Sequence, residues 1–258
     1  MIKEDYNKMI QNKYCLYFLN TLTNFIKAKG QLIGRVIVYS IIVFLFSEVF
    51  KSVNSLGMNL WYVAITQFLI MSSSSISFDI ESDIKNDDIL KFLLRPINYL
   101  FIKFVKALSV IIVKSILLGL VGLILCFYLT ETYPNLTMLQ FLKSIFFIIG
   151  GFMIYTLMGM NIGLLSFWIK EIKNIFFLNM TLTFCFGGLI VSLDKYPAFF
   201  KNICFYTPYP WILYAPANKL TTGYINHSTP FLYVVFWCLI FILSSHLLYK
   251  KVIKNITK

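Results

Sequence analysis

Residues 144–169 read SIFFIIGGFMIYTLMGMNIGLLSFWI, a run without a single Lys, Arg, Asp or Glu. About 20 apolar residues cross the hydrocarbon core of a bilayer as a helix, so this stretch alone is long enough to span. Charge-free runs recur between Ser52 and Phe78, between Asn174 and Leu193, and between Leu220 and Tyr249. The chain has 258 residues, 59% hydrophobic and 13% charged, with a mean hydropathy of +0.76. Soluble domains sit nearer ~45–50% apolar and ~25% charged. An ordinary soluble enzyme is thereby excluded, and a polytopic, all-α integral membrane protein is expected.

Extending the same reading along the chain gives six transmembrane helices, at about 31–50, 59–77, 107–129, 139–168, 174–193 and 229–249. The first borrows Arg35 and Glu48 at its two interfaces. Of the basic residues outside the spans, seventeen fall on one side of the bilayer and four, Lys51, Lys195, Lys201 and Lys219, on the other. Cytoplasmic loops carry the excess of Lys and Arg, so both termini are assigned to the cytoplasm. The net charge of +12 would suggest nucleic acid in a soluble protein; here the charges flank apolar spans, and no nucleic-acid partner is expected. The polar start, Met1 to Asn12, predicts no signal peptide.

Residues 1–30 are expected to form a cytoplasmic amphipathic helix on the inner leaflet, with apolar positions at 15, 18, 19, 22, 25 and 26. Residues 31–258 then form a single six-helix domain, with a cytoplasmic loop over 78–106 and an outer segment over 194–229.

No GxSxG elbow, HExxH pair or GxxxxGK[ST] phosphate loop occurs. Cys15, Cys126, Cys185, Cys204 and Cys238 form no CxxC pair, and the two histidines, His227 and His246, are too far apart in the topology to share a site. Neither a metal nor a cofactor is expected. Two regions carry information instead. The cytoplasmic loop gathers Asp79, Glu81, Asp83, Asp87 and Asp88, then turns apolar and basic through Leu90, Phe92, Leu93, Leu94 and Arg95 before Pro96. Asp87 can cap a short amphipathic helix there, suited to docking a partner. The outer segment holds Pro197, Pro208, Pro210 and Pro216 among nine aromatics. It is too apolar for a soluble loop and too rich in proline for a full span, which predicts a re-entrant helical pair dipping into the outer leaflet.

Gly159 and Gly163 form a GxxxG in the fourth span, whose expected use is helix packing within the chain. Lys114 lies about 10 Å into the third span and is expected to snorkel inward.

Six spans, a leading amphipathic helix, a docking loop and a dipping hairpin resemble the ABC-2 type permeases, the membrane subunits of ATP-binding cassette exporters. The residues Leu93-Leu94-Arg95-Pro96, Tyr99-Leu100, Phe167-Trp168-Ile169-Lys170-Glu171 and Ala215-Pro216-Ala217 are similar to the branch in which the permease is a separate chain. The resemblance implies a permease that is not itself an enzyme, paired with a second permease chain, identical or homologous, in a bacterial inner membrane above cytosolic ABC ATPase subunits. It also implies that Asp79, Glu81, Asp83, Asp87, Asp88, Lys91, Arg95 and Pro96 form the ATPase-coupling surface. Pro197, Phe199, Pro208, Pro210, Trp211 and Pro216 would form the outer gate. Two alternatives stand beside this reading. One is a membrane enzyme acting on lipid or isoprenoid groups, with Asp79, Asp83 and Asp87 sharing a helical face to hold Mg²⁺. The other is an ion-coupled secondary transporter.

Overall fold

A computed structural model describes residues 2–93, 98–225 and 229–256, with side chains described over 13–92, 98–225 and 229–255. Among these residues the chain is helical with no strand: α1 (Ile2–Lys27), α2 (Lys29–Ser52), α3 (Gly57–Ser72), α4 (Ile76–Lys85), α5 (Asp88–Leu93), α6 (Tyr99–Thr130), α7 (Met138–Leu165), α8 (Lys173–Gly187), α9 (Ala198–Phe205), α10 (Tyr209–Ile212), α11 (Tyr214–Thr222) and α12 (Pro230–Ile256).

Five stretches are long and apolar enough to cross a membrane: α2, α3 with α4, α6, α7 and α12. The segment expected to span at 174–193 is the 15-residue α8, about 22 Å long at 1.5 Å per residue. It ends where Gly188 turns left-handed (φ 68°) and returns its N–H to Phe184 O.

Local chemistry sets the other boundaries. Asn98 accepts from Phe101 N and starts α6 eight residues before the expected span. The 32 residues of α6 make a rod of about 48 Å, longer than the ~30 Å apolar core, so its first turns belong to the 78–106 region. Thr137 and Gln140 form a capping box that starts α7. The predicted 59–77 helix is broken: α3 stops at Ser72, Ser73 is extended, and α4 begins at Ile76.

The opening sequence run lies in the centre of the bundle. In α7, 72% of the apolar window is buried, against 11% in α12 and 22% in α2, so α7 is the axis and the other two are peripheral. Around α7 pack α4, α10, α11 and α12. The core beside it contains Phe147, Ile154, Trp211, Leu213 and Tyr214, with Trp211 and Tyr214 fully buried. At α1 the contacts run lengthwise: Tyr14 meets Phe101 edge-on, Lys106 lies over Tyr17, and Lys114 lies over Phe25. Residue numbers rise together along this seam, so α1 runs parallel to the first half of α6.

Candidate functional site

The acidic stretch of the 78–106 region folds as α4 and α5, and its carboxylates are mostly engaged. Asp83 Oδ2 accepts from Lys103 Nζ at 2.7 Å and from the Tyr99 hydroxyl at 3.0 Å, and the Lys103 and Asp83 side chains are only 7% and 18% exposed. Lys103 also donates to the backbone oxygen of Asp79. Glu81 Oε1 accepts from Ile172 N, the residue that precedes α8, at 3.3 Å and from Lys85 at 2.9 Å. A carboxylate at a helix N-terminus satisfies an N–H that has no partner in the helix and meets the positive end of its dipole. One short helix is therefore tied to both α6 and α8.

The third tie is apolar. A Cβ on Gly163 would lie 2.8 Å from Ile80 Cβ and 2.9 Å from Ser77 O, and one on Gly159 would lie 3.0 Å from Ile76 Cγ2. The GxxxG of α7 is thus filled by α4 from the same chain, as its sequence suggested. Below it, Ile89 of α5 is buried with Tyr99 and Val252, and Tyr99 stacks on Tyr249 with centroids 5.6 Å apart.

Of the expected coupling residues, Asp79, Asp87 and Lys91 are exposed, while Asp88, half-buried, pairs with Lys91. Asp87 lies outside α4 in a left-handed conformation (φ 56°). Asp79, Asp83 and Asp87 consequently do not share one helical face, and no cluster of three metal-ligating side chains occurs among the described residues. The divalent-ion geometry of the enzyme alternative is absent from them. Arg95 and Pro96 lie outside the described residues, as does His227. Lys103 and Ile172 were not singled out from the sequence, and Tyr99 entered there only through the family resemblance. A lysine five residues into a helix whose start was placed too late carries no local signal of its partner.

A second polar cluster sits at the α3–α4 break. Helix C-termini leave carbonyls without partners, and cations are favoured beside them. Here Arg35 Nη1 donates to Met71 O at 3.2 Å, and Lys114 Nζ donates to Ser73 O at 2.7 Å while lying over the Phe25 ring. Lys114 is buried, so it does not snorkel to the surface. The broken helix supplies its acceptor within the bundle. Glu48 pairs with Lys51 on the exposed side of α2.

The outer segment folds as a 3₁₀ turn at Leu193–Lys195 followed by α9, α10 and α11. Asp194 is its organiser: Lys201 Nζ reaches Oδ1 at 2.7 Å, and the Tyr214 hydroxyl and Asn218 Nδ2 donate to Oδ2 at 3.0 and 3.2 Å. The irregular backbone after α8 is served by α3, where Tyr62 donates to Gly188 O and Thr66 to Leu189 O, both at 2.6 Å. A Cβ on Gly151 of α7 would lie 2.9 Å from Ile212 O, so only glycine permits α10 this close. Gly223, at the end of α11, lies against Gln140, eleven residues earlier on α7 or about 16 Å along its axis. Pro208, Pro210, Trp211 and Pro216 are each buried, and Trp211 stacks on Tyr233 at 5.1 Å; Pro197 and Phe199 are exposed. Lys219 donates to Gly223 O, and burial, with Lys143 adding, holds its pKa below the ordinary lysine value.

No curated protein matches the chain. A family model described as ABC-2 family transporter protein matches residues 36–258, which includes α3 to α12 and α2 from Val36 onward. With that match spanning the bundle, the α4–α5 region and the outer segment alike, the chain belongs to the ABC-2 family of transporter membrane proteins.

Proposed function

We propose that the chain is the permease subunit of an ABC-type export system and forms half of a translocation pathway driven by a separate ATPase subunit. The observation that carries this reading is the triple anchorage of α4. It is tied to α6 through Asp83, to α8 through Glu81, and to α7 through Gly159 and Gly163. A force applied at the exposed Phe78 and Asp79 acts on α4 itself and so on three helices at once, and Asp87, Leu90 and Lys91 extend that exposed edge onto the turn and α5 that follow. A partner that contacts that edge differently in two states shifts the permease between them.

In this reading the ATPase docks on Asp79, Glu81, Asp83, Asp87, Asp88, Lys91, Arg95 and Pro96, with the exposed members making the contact and Glu81 and Asp83 holding the platform. Both termini lie in the cytoplasm of a bacterial inner membrane, and α8 completes a sixth, short crossing. The first helix rides at the inner surface along α6. The outer segment dips about 16 Å into the outer leaflet, supported by the separation of its two contacts on α7, and closes the pathway with Pro208, Pro210, Trp211 and Pro216 inside and Pro197 and Phe199 at the rim. A second permease chain covers the peripheral helices. No catalytic group of its own is needed, since ATP hydrolysis belongs to the partner.

The test is reconstitution of the full chain in nanodiscs with the ATP-binding proteins of its host. A subunit with a phosphate-binding loop should be recovered and its ATP hydrolysis stimulated, and Asp87→Lys with Lys91→Glu should abolish both. Recovery of no ATPase, or stimulation indifferent to those changes, would overturn the reading.

A further inference from the structure

A cleft of about 440 Å³ opens between the start of α6, the middle of α7 and the second half of α12. Its size falls within the roughly 300–1,000 Å³ of ligand pockets. Leu157 and Met160 form a buried floor, and Phe101, Ile242 and Leu243 are exposed walls. Asn98 and His246 lie at one end. Tyr249 stacks on Tyr99, and His246 precedes Tyr249 by three residues, about 4.5 Å along α12, so both polar groups sit near the first turn of α6. Met153 lies seven residues before Met160 on α7, carrying the apolar part about 10 Å deeper.

Both polar groups keep hydrogen-bonding capacity that is unused among the described residues. Asn98 uses Oδ1 to cap Phe101 N, and its Nδ2 makes no hydrogen bond among the described residues. His246 makes none among them either. Lys250 follows His246 by four residues and shares its face of α12, with Lys251 and Lys254 beyond. No carboxylate lines the cleft among the described residues.

We propose that this cleft binds an anionic phospholipid of the cytoplasmic leaflet, its phosphate held by His246, Lys250 and Asn98 and its acyl chain laid over Leu157 and Met160 towards Met153. The charge at the rim is complementary to an anionic headgroup and to no cationic one, and the apolar floor is shaped for a tail that a soluble anion lacks. The site rests on the cytoplasmic placement of the α6 start proposed above, but not on the ATPase partner.

The full chain, purified in detergent, is loaded with phosphatidylglycerol or with phosphatidylcholine of the same acyl chains, and retained lipid is read by native mass spectrometry. The wild type should retain one phosphatidylglycerol per chain at least tenfold better than phosphatidylcholine. His246→Ala with Lys250→Ala should erase that preference, and Met153→Trp should lower retention of both lipids. Equal retention of the two lipids by the wild type, or a preference that survives the double substitution, overturns the proposal. Displacement of phosphatidylglycerol by inorganic phosphate alone would make this an anion site, and a Met153→Trp chain that changes oligomeric state with retention intact would make it an interface between copies; each also overturns it. ATPase recovery measured on the same preparations separates failure of this site from failure of the permease reading.

Discussion

Replacing Gly163 by Ala tests the α4–α7 contact directly. The added Cβ would lie 2.8 Å from Ile80 Cβ, 2.9 Å from Ser77 O and 3.1 Å from Ser77 Cα. Carbon atoms rest comfortably at about 3.5–4.0 Å, so α4 must retreat by about 1 Å. Two of the three obstructing atoms are backbone, and no rotamer change relieves them. Overpacking of this kind costs about 1–3 kcal/mol, and the better helix propensity of Ala returns about 1 kcal/mol. Taking the upper end for a backbone clash, the net loss is about 2 kcal/mol. At about 2–4 °C per kcal/mol for a chain of this size, the unfolding midpoint in detergent should fall by roughly 4–8 °C. Gly159→Ala is the internal control. Its Cβ meets only Ile76 Cγ2, at 3.0 Å, the end of a side chain that can rotate, so the midpoint should hold or rise by the propensity gain of up to about 1 kcal/mol. If the two variants melt together, α4 is not seated on the glycines, and the proposed route from its exposed edge to the bundle centre fails with it.

Other outcomes follow from the same contacts. Asp83→Ala strands the buried Lys103 and should destabilise by about 3–5 kcal/mol, whereas Asp83→Leu with Lys103→Met should recover most of the loss; detergent unfolding of the two variants checks this. Asp87→Gly relieves a left-handed residue (φ 56°) and should leave the midpoint unchanged or higher, while Asp87→Val should lose about 1–2 kcal/mol. Trp211→Ala empties a fully buried site beside Tyr233 and Phe205 and should cost about 3–5 kcal/mol, read as loss of monodisperse protein on gel filtration at growth temperature. Lys114→Met leaves Ser73 O without its charged donor and should cost about 1–3 kcal/mol, measurable as faster proteolysis at the α3–α4 break.

Charge-free runs located the cores of α3, α7 and α12, and apolar runs interrupted by few charges those of α2 and α6, because bilayer thickness demands a length that sequence displays openly. The length of α6 was hidden, since Lys103 and Lys106 look like loop residues until Asp83 and the Tyr17 ring supply their surroundings. The same holds for α8, where the charge-free run continues past Gly188 although the helix does not. The α4–α5 region stood out in the sequence as a density of acids. Its division into exposed members and tethering members was not, because Glu81 and Asp79 are alike in sequence and differ only in what lies opposite. Asp194 had gone unremarked for the same reason: its partners Tyr214 and Asn218 are twenty and twenty-four residues away.

The cations at the α3–α4 break come from opposite directions along the chain, Arg35 from the helix already made and Lys114 from one not yet synthesised when Ser73 leaves the ribosome. At that moment the 16 residues of α3 span about 24 Å, short of the ~30 Å core, and the Ser73 carbonyl has no donor. The α3–α4 break should therefore stay incompletely satisfied until α6 supplies that donor. Stable integration of α3 should accordingly depend on α6, and a truncation before Lys114 should integrate it less fully than a chain that includes that lysine.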